Sequence, residues 1–225
     1  PGTIEVLDLD NIDLPHLPRG RVTAAAGAAA FAYIQKAVEL TLAGQAAAIV
    51  TAPLNKEGLS LAGVPYPGHT EVLAALCGVR GVVMMLVTES LRVSHVSTHV
   101  SLREACDRVR RQRIAAVAQL TEEAVRRLGF ERPRLAVAGL NPHAGEGGLF
   151  GQEEVEEIAP AVDDLRGQGL DVCGPLPPDT VFWRAARREF DAVVAMYHDQ
   201  GHIPVKLLGF DDGVNVTLGL PIVRT

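Results

Sequence analysis

The sequence predicts an α/β fold built on a largely parallel sheet, and three observations predict it. Short, uninterrupted apolar runs recur along the chain, helical stretches separate them, and polar clusters follow the runs directly. Uninterrupted apolarity marks strands covered on both faces. Regular alternation of such strands with helices is the signature of a layered α/β domain.

Residues 47–51 (AAIVT), 82–87 (VVMMLV), 91–97, 135–140 (LAVAGL) and 191–197 (DAVVAMY) read as strands. Residues 23–42 are Ala-rich and end before Gly44, which predicts a helix. Residues 102–128 carry apolar residues at helical spacing and end at Gly129. Residues 153–168 open on acids and stop at Gly169, favourable at both ends for the helix dipole and the C-cap. The Pro-rich stretch 174–178 reads as a loop feeding Asp179.

Composition narrows the function. The chain has 225 residues, 48% of them hydrophobic and only 4% aromatic, so small aliphatic side chains must fill the core. A net charge of −6 argues against nucleic acid as a partner. Three scattered cysteines without a CxxC pair indicate free thiols in a reducing cytoplasm. No signal peptide and no bilayer-spanning apolar run is visible, so no membrane role is expected. Both ends, Pro1-Gly2 and Arg224-Thr225, read as cut.

The polar clusters after the strands could bring His69, His99, His143 and His198 to one crevice, because loops at the carboxyl ends of parallel strands face the ligand. One histidine at such a place is ordinarily a hydrogen-bonded surface or core residue. As a set, with Asp179 and Asp199 nearby in sequence, they fit a site for Zn²⁺, Co²⁺ or Mn²⁺. The Gly-rich segment 145–151 follows a strand and precedes a helix. Phe150 interrupts the dinucleotide fingerprint, so it is either a flexible loop shaping the crevice or a set of backbone N–H groups for an anion. Lys206, Asn215 and Arg224 recur every nine residues in a weakly charged stretch. They are scattered surface polarity or a carboxylate- or phosphate-binding series.

Pro67-Gly-His-Thr-Glu71, Ser97-Thr-His99, Leu140-Asn-Pro-His-Ala-Gly-Glu146, Gly174-Pro-Leu-Pro-Pro-Asp-Thr180, Ala195-Met-Tyr-His-Asp-Gln200 and the segment 213–221 (GVNVTLGLP) together resemble the 4-hydroxythreonine-4-phosphate dehydrogenase family. The segments 1–7, 55–57, 148–151 and 201–206 look more like its branch acting on 4-phospho-D-threonate or 4-phospho-D-erythronate. The resemblance covers essentially the whole chain. It implies an isocitrate/isopropylmalate dehydrogenase-like fold: two α/β domains with an interdomain cleft, here truncated at both ends. Residues 1–50 and 205–225 would form part of a cofactor-side domain, and residues 51–204 a metal-binding, substrate-binding and dimerising domain.

The resemblance further implies NAD-dependent oxidation, with decarboxylation, of a phosphorylated hydroxy acid. His99, His143 and His198 match the ligands of a divalent ion (Zn, Mg, Co or Mn), with one of them supplied across a homodimer interface. Substrate contacts match His69, Thr70, Lys206, Asn215 and Arg224, and catalytic roles fall to Asp179, Asp199 and Lys206. The family has further residues at both ends, including a GDPAGIGPE-like motif and much of the NAD site. A non-catalytic dimeric module binding metal and phosphate is therefore the alternative for this chain, and a metal-dependent phosphohydrolase is a third reading.

Overall fold

A computed structural model describes residues 2–66, 68–79 and 81–224. Pro67 of the PGHTE motif and the terminal Pro1 and Thr225 lie outside the described residues, as does Arg80. Two compact units divide the chain: residues 1–80 with 220–225, and residues 81–219. The sequence had suggested boundaries near 50/51 and 204/205.

In the first unit, helix α1 (Ala24–Leu42) begins where the Thr23 side chain accepts a hydrogen bond from Ala26 N at 3.2 Å. It packs on α2 (Lys56–Leu61), whose start is capped by Asn55. The two helices approach so closely at Gly27 that a Cβ there would lie 1.9 Å from Gly58 O. Helix α3 (His69–Leu76) follows Gly68. The strand expected at 47–51 is a correction: among the described residues only Ile49 pairs, in a single bridge with Arg224. Apolar residues make a strand only where a ladder takes up their backbone groups. Val50, at 82% exposed, has no such cover.

The second unit carries a six-stranded sheet of order β4-β3-β5-β2-β1-β6. Its strands are β1 (Val83–Val87), β2 (Arg92–His95), β3 (Leu135–Ala138), β4 (Val172–Leu176), β5 (Ala192–Ala195) and β6 (Val214–Leu218). β4, β3, β5 and β2 run parallel. β1 is antiparallel to both β2 and β6, so the sheet is mixed where a largely parallel one was expected. The cause is the tight Thr88–Leu91 connection. It returns the chain at once, through Thr88 N to Leu91 O at 2.8 Å, and leaves no length for a crossover helix.

Helices cover the sheet. The single helix expected over 102–128 is two, α4 (Leu102–Asp107) and α5 (Arg111–Arg127). The break at 108–110 buries Val109 and frees Arg110 and Arg111 to bind Glu157 and Asp164. The helix expected over 153–168 opens with a π turn (Glu154–Ile158) and continues as α6 (Ala159–Gly167). The Pro-rich loop expected at 174–178 is the end of β4 and the start of α7 (Pro178–Ala186), with Pro178 in the first turn, where a missing N–H costs nothing. Helix α8 (His198–Leu208) completes the unit. The core holds Val, Ala, Ile and Leu from both sheet faces and the facing helices.

Candidate active site

β2, β5, β3 and β4 point their carboxyl ends the same way. The segments that follow them carry His99, His198, His143 and Asp179 at that same end of the sheet. Side chains tie these ends together. Gln200 accepts from Met196 N at 2.7 Å and donates to Gly139 O at 2.8 Å, linking β5 to β3. Ser97 Oγ donates to Met196 O at 3.1 Å, linking β5 to β2.

Because β2 and β5 are neighbours, His99 and His198 face each other, with ring centroids 5.7 Å apart. They line a depression of about 610 Å³ with Tyr197, Asp199 and Glu104. His198 holds Asp199 Oδ1 through its Nδ1 at 2.6 Å, which fixes the ring and leaves Nε2 for another partner. His143 lies on the other side, in a cleft of about 840 Å³ shared with Asp179, Tyr197, Asp199 and Trp183. Among the described residues of one chain, no group of three His, Cys, Asp or Glu is placed to hold an ion. The donor chemistry suits a divalent ion, but a single chain brings together only two of the three imidazoles.

His143 sits in an unusual backbone. Residues His143, Ala144, Gly145, Glu146 and Gly147 are consecutively left-handed, with φ between 45° and 78°. Each non-glycine residue there costs about 1–2 kcal/mol relative to the right-handed form. The Gly-rich segment thus opens on a left-handed turn.

Sequence reasoning left His95 and His202 without a role. It placed residues 198–202 in a loop, whereas they form the first turn of α8, where i and i+4 share a face. His202 stacks on His198 at 3.6 Å between centroids, with the rings 13° from parallel. Behind it, His202 Nδ1 lies 3.1 Å from His95 Nε2, and His95 Nδ1 lies 3.3 Å from Met84 O. Burial, and then the neighbouring His202, push the His95 imidazole down to about 3. Burial and His198 lower His202 as well. The HxxxH spacing was the signal in the sequence.

This has a consequence for stability. His95 titrates near 6.5 when unfolded and far lower when folded, so its neutral form stabilises the fold fully above about pH 6.5. That contribution is lost as pH falls towards 3, at roughly 1.4 kcal/mol per pH unit. Denaturant unfolding between pH 7 and 5 should therefore show a steeper loss of stability in the native sequence than in His95→Gln. Equal slopes would show that His95 is not the group responsible.

The remaining expected residues are distributed as follows. Lys206 is exposed on α8, close enough to His202 to depress it, and Asn215 is exposed on β6 opposite Leu86. His69 and Thr70 open α3 in the first unit, where burial and Arg224 lower the His69 imidazole. Arg224 donates to Thr51 Oγ1 at 2.9 Å, and its buried Nε has no partner among the described residues.

The chain is 52% identical over 225 residues to a D-threonate 4-phosphate dehydrogenase from Pectobacterium atrosepticum, covering 100% of this chain and 69% of that protein. It superposes on a 4-hydroxythreonine-4-phosphate dehydrogenase from Klebsiella pneumoniae with a TM-score of 0.90. The identity is 55%, covering 94% of this chain and 65% of that one. For the dehydrogenase of that name from Burkholderia phymatum the TM-score is 0.88 and the identity 54%, covering 99% and 68%. The chain thus spans about two thirds of the length of these relatives. Fold and relatives together place it among the α/β dehydrogenases, the oxidoreductase class. Over residues 1–225 it matches, and belongs to, the family of the pyridoxal phosphate biosynthetic protein PdxA.

Proposed function

We propose that the protein carries out an NAD-linked, divalent-metal-dependent oxidation, with decarboxylation, of a small phosphorylated hydroxy acid in the cytoplasm. 4-Phospho-D-threonate and 4-phospho-D-erythronate lead, followed by 4-hydroxythreonine 4-phosphate. The observation that carries this is the facing pair His99 and His198, with His198 oriented by Asp199, at the ends of adjacent parallel strands in a chain of this family. An ion held there would act as a Lewis acid toward the substrate's hydroxyl. Asp199 holds the His198 ring in one tautomer, and Asp179 and Lys206 serve proton transfer and charge balance. By the family resemblance, Lys206 and Asn215 of the second unit, and His69, Thr70 and Arg224 of the first, would each bind carboxylate or phosphate groups of the substrate, and binding remote from the reacting carbon helps to position it. The first unit would form part of the cofactor side, and the second the metal and dimer side.

The third imidazole, His143, would come from a second copy of the chain. The cleft beside it supports this: Trp183, Ile203 and Leu207 are 60%, 65% and 82% exposed, an apolar patch of the kind that marks an interface. The reading is tested by following NADH absorbance with each of the three substrates in the presence of Zn²⁺, Mg²⁺, Co²⁺ or Mn²⁺. Metal-dependent NADH formation from at least one is expected. Its absence with all three at saturating metal would overturn the assignment.

A further inference from the structure

The left-handed turn that carries His143 packs against one buried acid, Glu154, whose hydrogen bonds go to the residues just before the turn. Glu154 is 2% exposed and stands at the first position of the π turn before α6. Oε1 accepts from Leu140 N at 2.8 Å and from Asn141 N at 2.7 Å, while Oε2 accepts from the Asn141 side chain at 2.9 Å. Two main-chain donors and one amide thus converge on a single anion, and each such bond is charge-assisted. Asn141 is also held by Glu153 at 2.8 Å.

The same carboxylate is the wall against which the turn is folded. A Cβ on Gly145 would lie 2.7 Å from Oε2, and one on Gly139 would lie 2.9 Å from Ala144 Cα and 3.1 Å from Oε1. Residues 139–145 therefore wrap the Glu154 side chain with no space left, which explains glycine at both positions. A run of left-handed residues persists only where its surroundings over-determine it, and such strain gathers at functional sites. A π turn within a helix is another frequent companion of such sites. Here the strained segment presents one exposed imidazole, His143, to the cleft that Asp179 and Asp199 line.

We infer that Glu154 is a positioning residue. It sets the direction of His143 by anchoring the end of β3 on one side and the left-handed turn on the other. The inference rests on the proposed reading of His143 as a metal ligand. It also gives the Gly-rich segment its purpose: the glycines let a backbone close around a carboxylate, and no anion need bind there.

The test is a double-mutant cycle read by Zn²⁺ calorimetry on the dimeric protein, with circular dichroism to verify folding. Glu154→Gln keeps the volume and one acceptor oxygen but loses the charge. It is expected to weaken Zn²⁺ binding by about 10- to 100-fold, as for other residues that orient a ligand. Gly145→Ala leaves the carboxylate in place and pushes on it from the turn, with a loss of the same direction expected. In a His143→Ala background, Glu154→Gln should cause no further loss, because the residue through which it acts is gone. The inference is overturned if both single variants bind Zn²⁺ like the native protein, or if the Glu154→Gln loss is undiminished in the His143→Ala background. If His143→Ala itself binds Zn²⁺ normally, the metal reading of His143 fails and this inference with it. A loss from His143→Ala without one from Glu154→Gln or Gly145→Ala overturns the inference alone.

Discussion

Replacing His198 by alanine is expected to lower Zn²⁺ affinity by about 100-fold or more and to suppress NADH formation in proportion. The loss should exceed that from a residue that only orients a ligand, which is of the order of 10- to 100-fold. His198 is the natural centre of the site. It faces His99, is fixed by Asp199, and opens α8 where the helix adjoins the end of β5. Because its side chain is only partly buried, the fold should tolerate the change within about 1 kcal/mol. Asp199→Asn should act in the same direction but less severely, since an amide can still hold the His198 ring through one hydrogen bond. Calorimetry and NADH absorbance on the same preparations check both expectations. Native affinity in His198→Ala would remove this residue from the metal site.

The second large effect concerns assembly. If the proposed dimer forms through this cleft, a glutamate in place of Trp183 or Ile203 is expected to convert it to a monomer and to abolish tight Zn²⁺ binding while the secondary structure persists. Both side chains lie at the rim of the cleft that holds His143 and are mostly exposed in one chain. A large aromatic side chain in such a position often carries much of an interface's binding energy, and an unpaired buried charge opposes association strongly. Light scattering should show the mass falling by half, and calorimetry should show metal affinity falling with it. A monomer that keeps native Zn²⁺ affinity would mean that one chain closes the site by itself.

Much of this architecture was legible in the sequence because its determinants are local. The runs Val83–Val87, Leu135–Ala138 and Ala192–Ala195 carry no polar interruption, and Arg92–His95, though it holds Arg92, Ser94 and His95, is flanked by the apolar Leu91 and Val96 and is largely buried. β4 and β6 were missed because both are edge strands. VCGPL contains a Gly-Pro pair, and VNVTL alternates with an exposed Asn215 that drew a binding interpretation instead. Helices α7 and α8 were obscured by proline: Pro178 occupies a helix start, and Pro204 sits inside α8.

The site was legible as a set of strand-end histidines, but not their pairing. Which imidazoles meet depends on strand order, and β5 between β2 and β3 puts His99 and His143 on opposite sides of His198. Nor does the spacing of Gly145, Gly147 and Gly148 reveal a left-handed turn, since the carboxylate it packs against, that of Glu154, lies nine residues further along the chain. The stack of His198 on His202 follows from helical periodicity, once residues 198–202 are known to be helical.

A metal site shared by two chains is the core of the proposed function. It is tested by unfolding and refolding together equal amounts of His143→Ala and His198→Ala, each of which should bind Zn²⁺ poorly as a homodimer. In a mixed dimer one site would lack both residues and the other would have neither substitution. Random pairing should therefore restore about a quarter of the native number of tight Zn²⁺ sites. If no tight Zn²⁺ binding returns although mixed dimers form, His143 and His198 do not serve one site from two chains.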